Sequence, residues 1–370
     1  MSPTIRRLST RAIRVPLSRP WGPHVRDLSL IEVTVEDSEG DLGYGFSWTP
    51  SIGAAAVQAH LDHDIAAFAT GREADADALW TPLWTHLHEG GGAGITTIAM
   101  AGLDLALWDL AARRADVGIA DHLGRRHDTA EVYGSGVNLH YPLDELVAQA
   151  SRWVAGGFDA VKVKVGSPSL DDDVARLAAV REVIGPDRRL MIDANQRWNL
   201  AQAERAIGTV AAFDLTWIEE PLRADDLAAH IVLRDRIEVP IALGENLHTG
   251  YRFAEFMDAG VVDVVQPNIV RVGGITPFLE IAALAAVRGV ELAPHLLLEL
   301  SAQLALTLPG DHLVEAVEDA SFAELGALAA PSPVIVDGSR VRTSGQPGLG
   351  IRFTDDRADA AASVDPMEAS

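Results

Sequence analysis

Four apolar runs in the middle of the chain each end on groups able to do acid, base or metal chemistry. VKVKVG carries Lys162 and Lys164, LMIDAN ends on Asp193 and Asn195, TWIEEP on Glu219 and Glu220, and IALGEN on Glu245 and Asn246. Asp193 to Glu219 is 26 residues, and Glu219 to Glu245 is 26 again. That interval fits one strand, one helix and two short loops, so the repeat predicts consecutive βα units of a parallel sheet. Three carboxylates then stand at equivalent strand ends. In a parallel barrel all such ends open at one mouth, where barrel active sites lie. Carboxylates gathered there repel one another unless a cation lies between them, which makes a hard divalent metal the economical explanation, with Mg²⁺ the first candidate. The competing reading makes the acids helix caps or first-turn charges. Such caps need not recur at the same point of every unit.

Lys162 and Lys164 are two apart on a strand and so share a face. Inside a barrel, mutual repulsion and desolvation are expected to lower at least one of the two pKa values toward that of a useful base. The alternative is a pair of surface lysines. The flanking valines argue against it, since they mark the opposite face as packed against helices.

These groups need elements to hold them. Residues 1–125 read as an α+β domain: alternating runs at IRRLSTRAIRVPL, LSLIEVTVED and DLGYGFSW predict a small antiparallel sheet. Helices are expected from Ala54 to Phe68 and across ITTIAMAGLDLALWDLAARRA. Between the first two strands, SRPWGPHVRD is a Pro/Gly-punctuated loop carrying Trp21, His24 and Arg26. It would either lie over the barrel mouth and read the substrate or be a plain surface loop. Residues 126–320 continue the βα rhythm from VYGSG through VVDVVQPN, VELAPH and HLVEAV, giving eight strands with Asn268, His295 and Glu315 closing the later runs. Residues 321–370 read as a Pro/Ser/Gly-rich segment returning to the first domain, with a disordered tail from Thr354. The fold class is therefore α/β, a TIM-like barrel with an α+β capping domain.

Composition narrows the chemistry. The formal net charge is −23, which argues against nucleic acid as a partner because phosphate binding needs a basic surface. A small acidic substrate is still admissible, since it answers to the local field of a metal and a few lysines. There is no cysteine, so disulfides and thiolate metal sites are out. The first residues have arginines without an apolar run of signal-peptide length, and no later segment has 18 uncharged apolar residues, so no membrane partner and a cytoplasmic location are the expectations.

The motifs, taken in order, resemble the mandelate racemase subgroup of the enolase superfamily: KVKVG, DANQ, WIEEP, GEN, PNIVRVGGIT and PHLLLELSA. The resemblance covers nearly the whole chain. It implies an α+β capping domain, a (β/α)7β barrel, one essential Mg²⁺, a homo-oligomer, and a mechanism in which a Lys or His base works with the metal to stabilise an ene-diolate. By motif, Asp193, Glu219 and Glu245 resemble the metal ligands. Lys164 resembles the base on one face of the substrate, with Lys162 adjusting its pKa and touching the carboxylate. His295 resembles the acid or base on the opposite face, and Glu315 would donate a hydrogen bond to the substrate carboxylate if protonated. Asn195 would be a further polar contact. One position departs from the pattern: the sixth strand ends on Asn268 where an Asp is expected to pair with the His. Asn268 would orient the ring by accepting its N–H, without adding charge. His140, His248 and His312 receive no role.

The leading functional reading is Mg²⁺-dependent abstraction of the proton α to a carboxylate, in a dehydratase turning a sugar acid or hydroxy acid into a 2-keto-3-deoxy acid. The alternatives are a racemase or epimerase of a 2-hydroxy or amino acid, and a catalytically silent metal- or ligand-binding barrel. Substrate contacts are expected from Trp21 and His24 in the Ser18–Asp27 loop, from the Trp48–Ser51 region, and from Arg197 and Trp198.

Overall fold

The computed structural model describes residues 2–354. All but the first residue of the tail expected to be disordered lies outside the described residues. Period-two patterning at the start of the chain folds as an antiparallel sheet of β1 (Ile5–Trp21), β2 (Val25–Asp37) and β3 (Leu42–Thr49). The presumed loop between β1 and β2 is mostly strand. β1 runs on to Trp21, which pairs with Val25, and only a three-residue turn separates them.

The helix expected from Ala54 is continuous to Ala69, with a π-helical turn over Leu61–Ile65. A second helix, Ala76–Leu87, went unread because Pro82 lies inside it. A proline at that depth ordinarily argues against a helix. Its start was legible in Asp75, whose side chain accepts from the Ala78 N–H at 2.8 Å.

Helix Ile95–Arg114 is the core element of the capping domain. It is long and apolar enough to cross a membrane, but 78% of that window is buried. It lies directly on β3, and the contact requires glycine there: a Cβ on Gly45 would overlap the carbonyl of Gly102.

Eight parallel strands follow: β4 (Ala130–Ser135), β5 (Ala160–Lys164), β6 (Arg189–Asp193), β7 (Leu215–Glu219), β8 (Ile241–Leu243), β9 (Val264–Val265), β10 (Glu291–Leu292) and β11 (Leu313–Val317). The ladders run β10-β9-β8-β7-β6-β5-β4, and β11 joins β4. Among the described residues no ladder joins β10 to β11. Side chains span that seam instead: His312 Nδ1 lies 2.8 Å from the Leu292 carbonyl, and Glu315 Oε2 accepts from the Leu296 N–H at 3.0 Å. The interior below the mouth is filled by Tyr133, Ala160, Met191, Trp217, Ala242, Val264 and Ala293. Tyr133 meets Trp217 edge-on, with ring centroids 5.8 Å apart.

After the barrel, the hairpin of β12 (Val334–Asp337) and β13 (Arg340–Thr343) adds to β4 in antiparallel sense. The chain then reaches the capping domain, where Phe353 packs edge-on against Phe46 and donates its N–H to Glu32 Oε1 at 3.3 Å.

Glu299, in helix Leu298–Ala305, is buried; Oε1 accepts from the Ala323 N–H at 2.9 Å, and Oε2 has no partner among the described residues. Burial pushes its carboxyl up to about 7 from an ordinary 4.5. Between those pH values the folded state keeps a proton that the unfolded chain has released. This contribution to stability is therefore present below about pH 4.5 and lost as pH rises through about 7. Glu299→Gln is neutral throughout. Denaturation midpoints at pH 5 and pH 8 should show the Gln variant gaining on wild type by roughly 3 kcal/mol at the higher pH. An unchanged difference would refute the assignment.

Candidate active site

Pleating explains why β5 delivers both lysines to one place. Val161, Val163 and Val165 enter the outer core against the helices, while Lys162 and Lys164 face the barrel interior. Lys162 Nζ stands 5.5 Å above the Tyr133 ring and donates to both oxygens of Glu219, at 2.9 and 2.8 Å; Glu315 Oε1 lies 2.8 Å away. Lys164 Nζ makes a short ion pair with Asp193 Oδ2.

Asp193 ends β6 and Glu219 ends β7, paired in register across the ladder; Glu245 lies two residues past the end of β8. Asp193, Glu219 and Glu245 are buried, and one oxygen from each lies within 4.8 Å of the others. Three carboxylates at this spacing suit a hard divalent cation. The electrostatics agree with that fit: burial and the charge of Asp193 push Glu219 up to about 7 despite Lys162 beside it. A proton there stands in for positive charge that the donor set lacks.

The expectation of a lysine with lowered pKa is reversed by the carboxylates around it. Burial is the largest single influence and lowers both lysines, but the surrounding carboxylates together outweigh it, chiefly Glu219 and Glu315 at Lys162 and Asp193 with Glu219 and Glu245 at Lys164, so both are raised. Glu315 also departs from its expected state. Burial favours its neutral form, yet Lys162 and His295 hold it down to about 2. It is therefore an ionised acceptor, taking hydrogen bonds from Ser135 Oγ at 2.7 Å and from the Leu296 N–H.

The loops beyond the strand ends are strained. Asn195, Gln196, Glu220, Leu296 and Leu297 all have positive φ, a conformation that costs a residue with a side chain about 1–3 kcal/mol. The strain has a use. It turns the Asn195 N–H back onto Asp193 Oδ1 at 2.7 Å and the Leu296 N–H onto Glu315. Glu220, next to a metal-ligand candidate, stays out of the carboxylate cluster and is held by Gln196 and Asn246.

On the far wall His295 Nε2 is 2.8 Å from Glu245 Oε2 and 3.8 Å from Glu315 Oε2. Asn268 lies 3.1 Å from His295 Nδ1, but with the opposite polarity to that expected. Its Oδ1 accepts from the Arg271 N–H, capping helix Ile269–Val272, and this leaves the amide NH₂ facing the ring. Asn268 thus donates to His295 and does not accept from it.

Above these groups is a cavity of about 180 Å³. Its polar wall includes Lys164, Asn195, Glu245, Arg271, His295 and Glu315, and the capping domain covers it with Trp21, Trp48 and Pro50. His24 is exposed at the β1–β2 turn and is not among the lining residues, nor are Arg197 and Trp198. Sequence reading missed three contributors. Arg271 Nη1 donates to the Glu245 carbonyl at 2.8 Å and to Asn246 Oδ1 at 2.6 Å. Gln266 donates to Glu219 Oε2 at 2.7 Å. Ser135 closes β4, so the strand-end rule that found the carboxylates would have found it too.

Residues 8–124 match the mandelate racemase/muconate lactonizing enzyme N-terminal domain, and residues 145–357 match the enolase C-terminal domain-like family. The 3,6-anhydro-alpha-L-galactonate cycloisomerase of Streptomyces coelicolor is 36% identical over 352 residues, 94% of this chain and 96% of that relative. The L-talarate/galactarate dehydratase of Salmonella typhimurium is 36% identical over 294 residues, 79% of this chain and 74% of that protein. The structure of L-talarate dehydratase from Polaromonas sp. JS666, complexed with Mg and L-glucarate, superposes with a TM-score of 0.85 at 33% identity, covering 97% of each chain. With both domains matched and the carboxylates converging at the barrel mouth, the chain belongs to the mandelate racemase/muconate lactonizing enzyme family of the enolase superfamily.

Proposed function

We propose that this protein is a Mg²⁺-dependent lyase that removes the proton α to the carboxylate of a sugar acid and expels the β-oxygen, giving a 2-keto-3-deoxy acid after tautomerisation. The observation that carries the reading is the asymmetry of the two walls: an amine at Lys164 on one, and on the other a histidine whose Nδ1 faces an amide donor. Mg²⁺ held by Asp193, Glu219 and Glu245 would supply Lewis-acid stabilisation of the negative charge developing on the substrate carboxylate. With those carboxylates neutralised, what remains on Lys164 is burial and the neighbouring Lys162 charge, both of which lower its pKa and suit it to take a proton. Lys162, fixed over Tyr133, is placed to hold charge and not to move.

The amide donor opposite Nδ1 brings no negative charge to stabilise an imidazolium, so a proton on Nε2 is readily given up to a departing oxygen and poorly taken from the opposite face. One-sided elimination is therefore favoured over balanced racemisation. A second outcome of the same chemistry is supported by the near full-length match to a cycloisomerase. Where the β-oxygen belongs to a ring, its elimination opens the ring and yields an isomer in place of water. The substrate is a small carboxylate in either case. A cytoplasmic homo-oligomer accompanies this reading, supported by the family resemblance.

Four experiments test it. Calorimetric titration should show Mg²⁺ binding to wild type and binding at least about 100-fold weaker to Glu219→Gln, and chelator should abolish turnover; full activity in chelator would exclude the metal role. Lys164→Met should cut solvent deuterium exchange at the α-carbon by roughly 10²–10⁴-fold while Mg²⁺ still binds; exchange at the wild-type rate would place the base elsewhere. Asn268→Asp should raise exchange through the His295 face by about tenfold, one pKa unit of added imidazolium stability. A carbonyl-trapping screen of acid sugars should find keto acid. If it finds none while the native protein interconverts two stereoisomers at similar rates, the racemase reading replaces elimination.

A further inference from the structure

The loop between β9 and helix Ile275–Arg288 carries Asn268 and Arg271, and three residues of the capping domain hold it. Trp80 Nε1 donates to the Gly273 carbonyl at 2.9 Å, and Trp108 Nε1 donates to Thr276 Oγ1 at 3.0 Å. Between them Asp104 is buried, and its Oδ2 accepts from the N–H groups of Ile275 at 2.6 Å and Thr276 at 3.2 Å. The barrel helix has no cap of its own, since its N-cap residue is Gly274. Asp104, 171 residues away in sequence, supplies the acceptor. The approach is close enough that only glycine fits: a Cβ on Gly274 would overlap the Asp104 carboxylate, and its φ of 115° is also one that side chains rarely adopt.

The other face of helix Ile95–Arg114 lies on the glycines of β3, whose next-to-last residue is Trp48, over the cavity. A chain of direct contacts therefore runs from Trp48 through β3 and the helix to Asp104, and from there through the loop to Arg271. Its two ends meet again across the cavity, where the Arg271 guanidinium stands 6.0 Å from the centre of the Trp48 ring. Asp104 is the buried carboxyl in this circuit.

We propose that Asp104 is a positioning residue that sets the capping-domain wall of the cavity, at Trp48 and Pro50, against the barrel wall at Arg271. Its effect falls on how tightly the cavity grips a ligand; Asp193 and Glu219 are held by β6 and β7 independently of it, and only Glu245, which touches Arg271, lies within its reach. The consequence for turnover rests on the function proposed above; the consequence for the two walls does not.

Hydrogen exchange read by mass spectrometry tests the second part without any substrate. In Asp104→Asn, and more strongly in Asp104→Ala, segments 47–50 and 268–276 should both exchange faster than in wild type, with β5, β6 and β7 unchanged. Gly274→Ala should reproduce the pattern, and the double variant Asp104→Ala/Gly274→Ala should be no worse than the worse single change. Unchanged exchange in segment 47–50, or additive effects of the two substitutions, overturns the proposal whether or not the protein is a lyase. With an acid that wild type turns over, Asp104→Asn should raise KM by about tenfold, as for one lost hydrogen bond, with kcat and Mg²⁺ affinity each within about threefold. A variant that loses kcat and Mg²⁺ affinity together while KM stays constant assigns Asp104 to general stability and refutes the positioning role.

Discussion

Like charge brought together out of water governs this molecule. Asp193, Glu219, Glu245 and Glu315 converge at one barrel mouth, all buried, and no fold tolerates that without compensation. Lys162, Lys164 and His295 answer part of the charge directly, Arg271 reaches Glu245, and Gln196 and Asn246 steady Glu220 beside them. The layer of Tyr133, Met191 and Trp217 beneath gives the lysines a floor, so their ammonium groups cannot retreat from the cluster. Even so, Glu219 is pushed up to about 7. The protein alone does not balance its own mouth, and a divalent cation fits because it does.

The same economy joins the two domains. Beside Trp80 and Trp108, one buried acid of helix Ile95–Arg114 makes the contact between them, and a second ties the helix to β3 and to the returning C-terminal segment. Asp104 accepts from the backbone N–H groups of Ile275 and Thr276, and Asp109 from those of Tyr44 and Leu349. Both carboxyls are pushed up by burial, to about 7 and about 6. Such contacts fix direction as well as distance, which apolar packing alone does not.

Much of this was legible from sequence because a βα repeat writes its functional residues at a fixed interval. The 26-residue spacing located Asp193, Glu219 and Glu245, and the period-two rule put Lys162 and Lys164 on one face. What stayed hidden depends on partners far apart in the chain. Nothing local to Asp104 points to Gly274, and nothing in Arg271 points to the Glu245 carbonyl. Trp21 and His24 were equal candidates until the β1–β2 turn was seen to take one into the cavity lining and leave the other in water. The ionised state of Glu315 and the polarity of the Asn268 amide were misread because each is set by neighbours that sequence does not place: the charge of Lys162 beside Glu315, and the Arg271 N–H that takes the amide oxygen of Asn268.

The barrel has a stiff arc and a compliant gap. From β4 to β10 the strand ends are fixed relative to one another by backbone ladders, so Asp193 and Glu219 hold their separation whatever their side chains do. Between β10 and β11 there is no such ladder among the described residues. There the spacing of His295 from Glu315 is kept by side chains alone, those of His312 and of Glu315 itself. The half of the mouth that gathers the carboxylate cluster is therefore dimensionally rigid. The half that carries His295 and Glu315 can change its width by a single side-chain substitution, without any strand being remade.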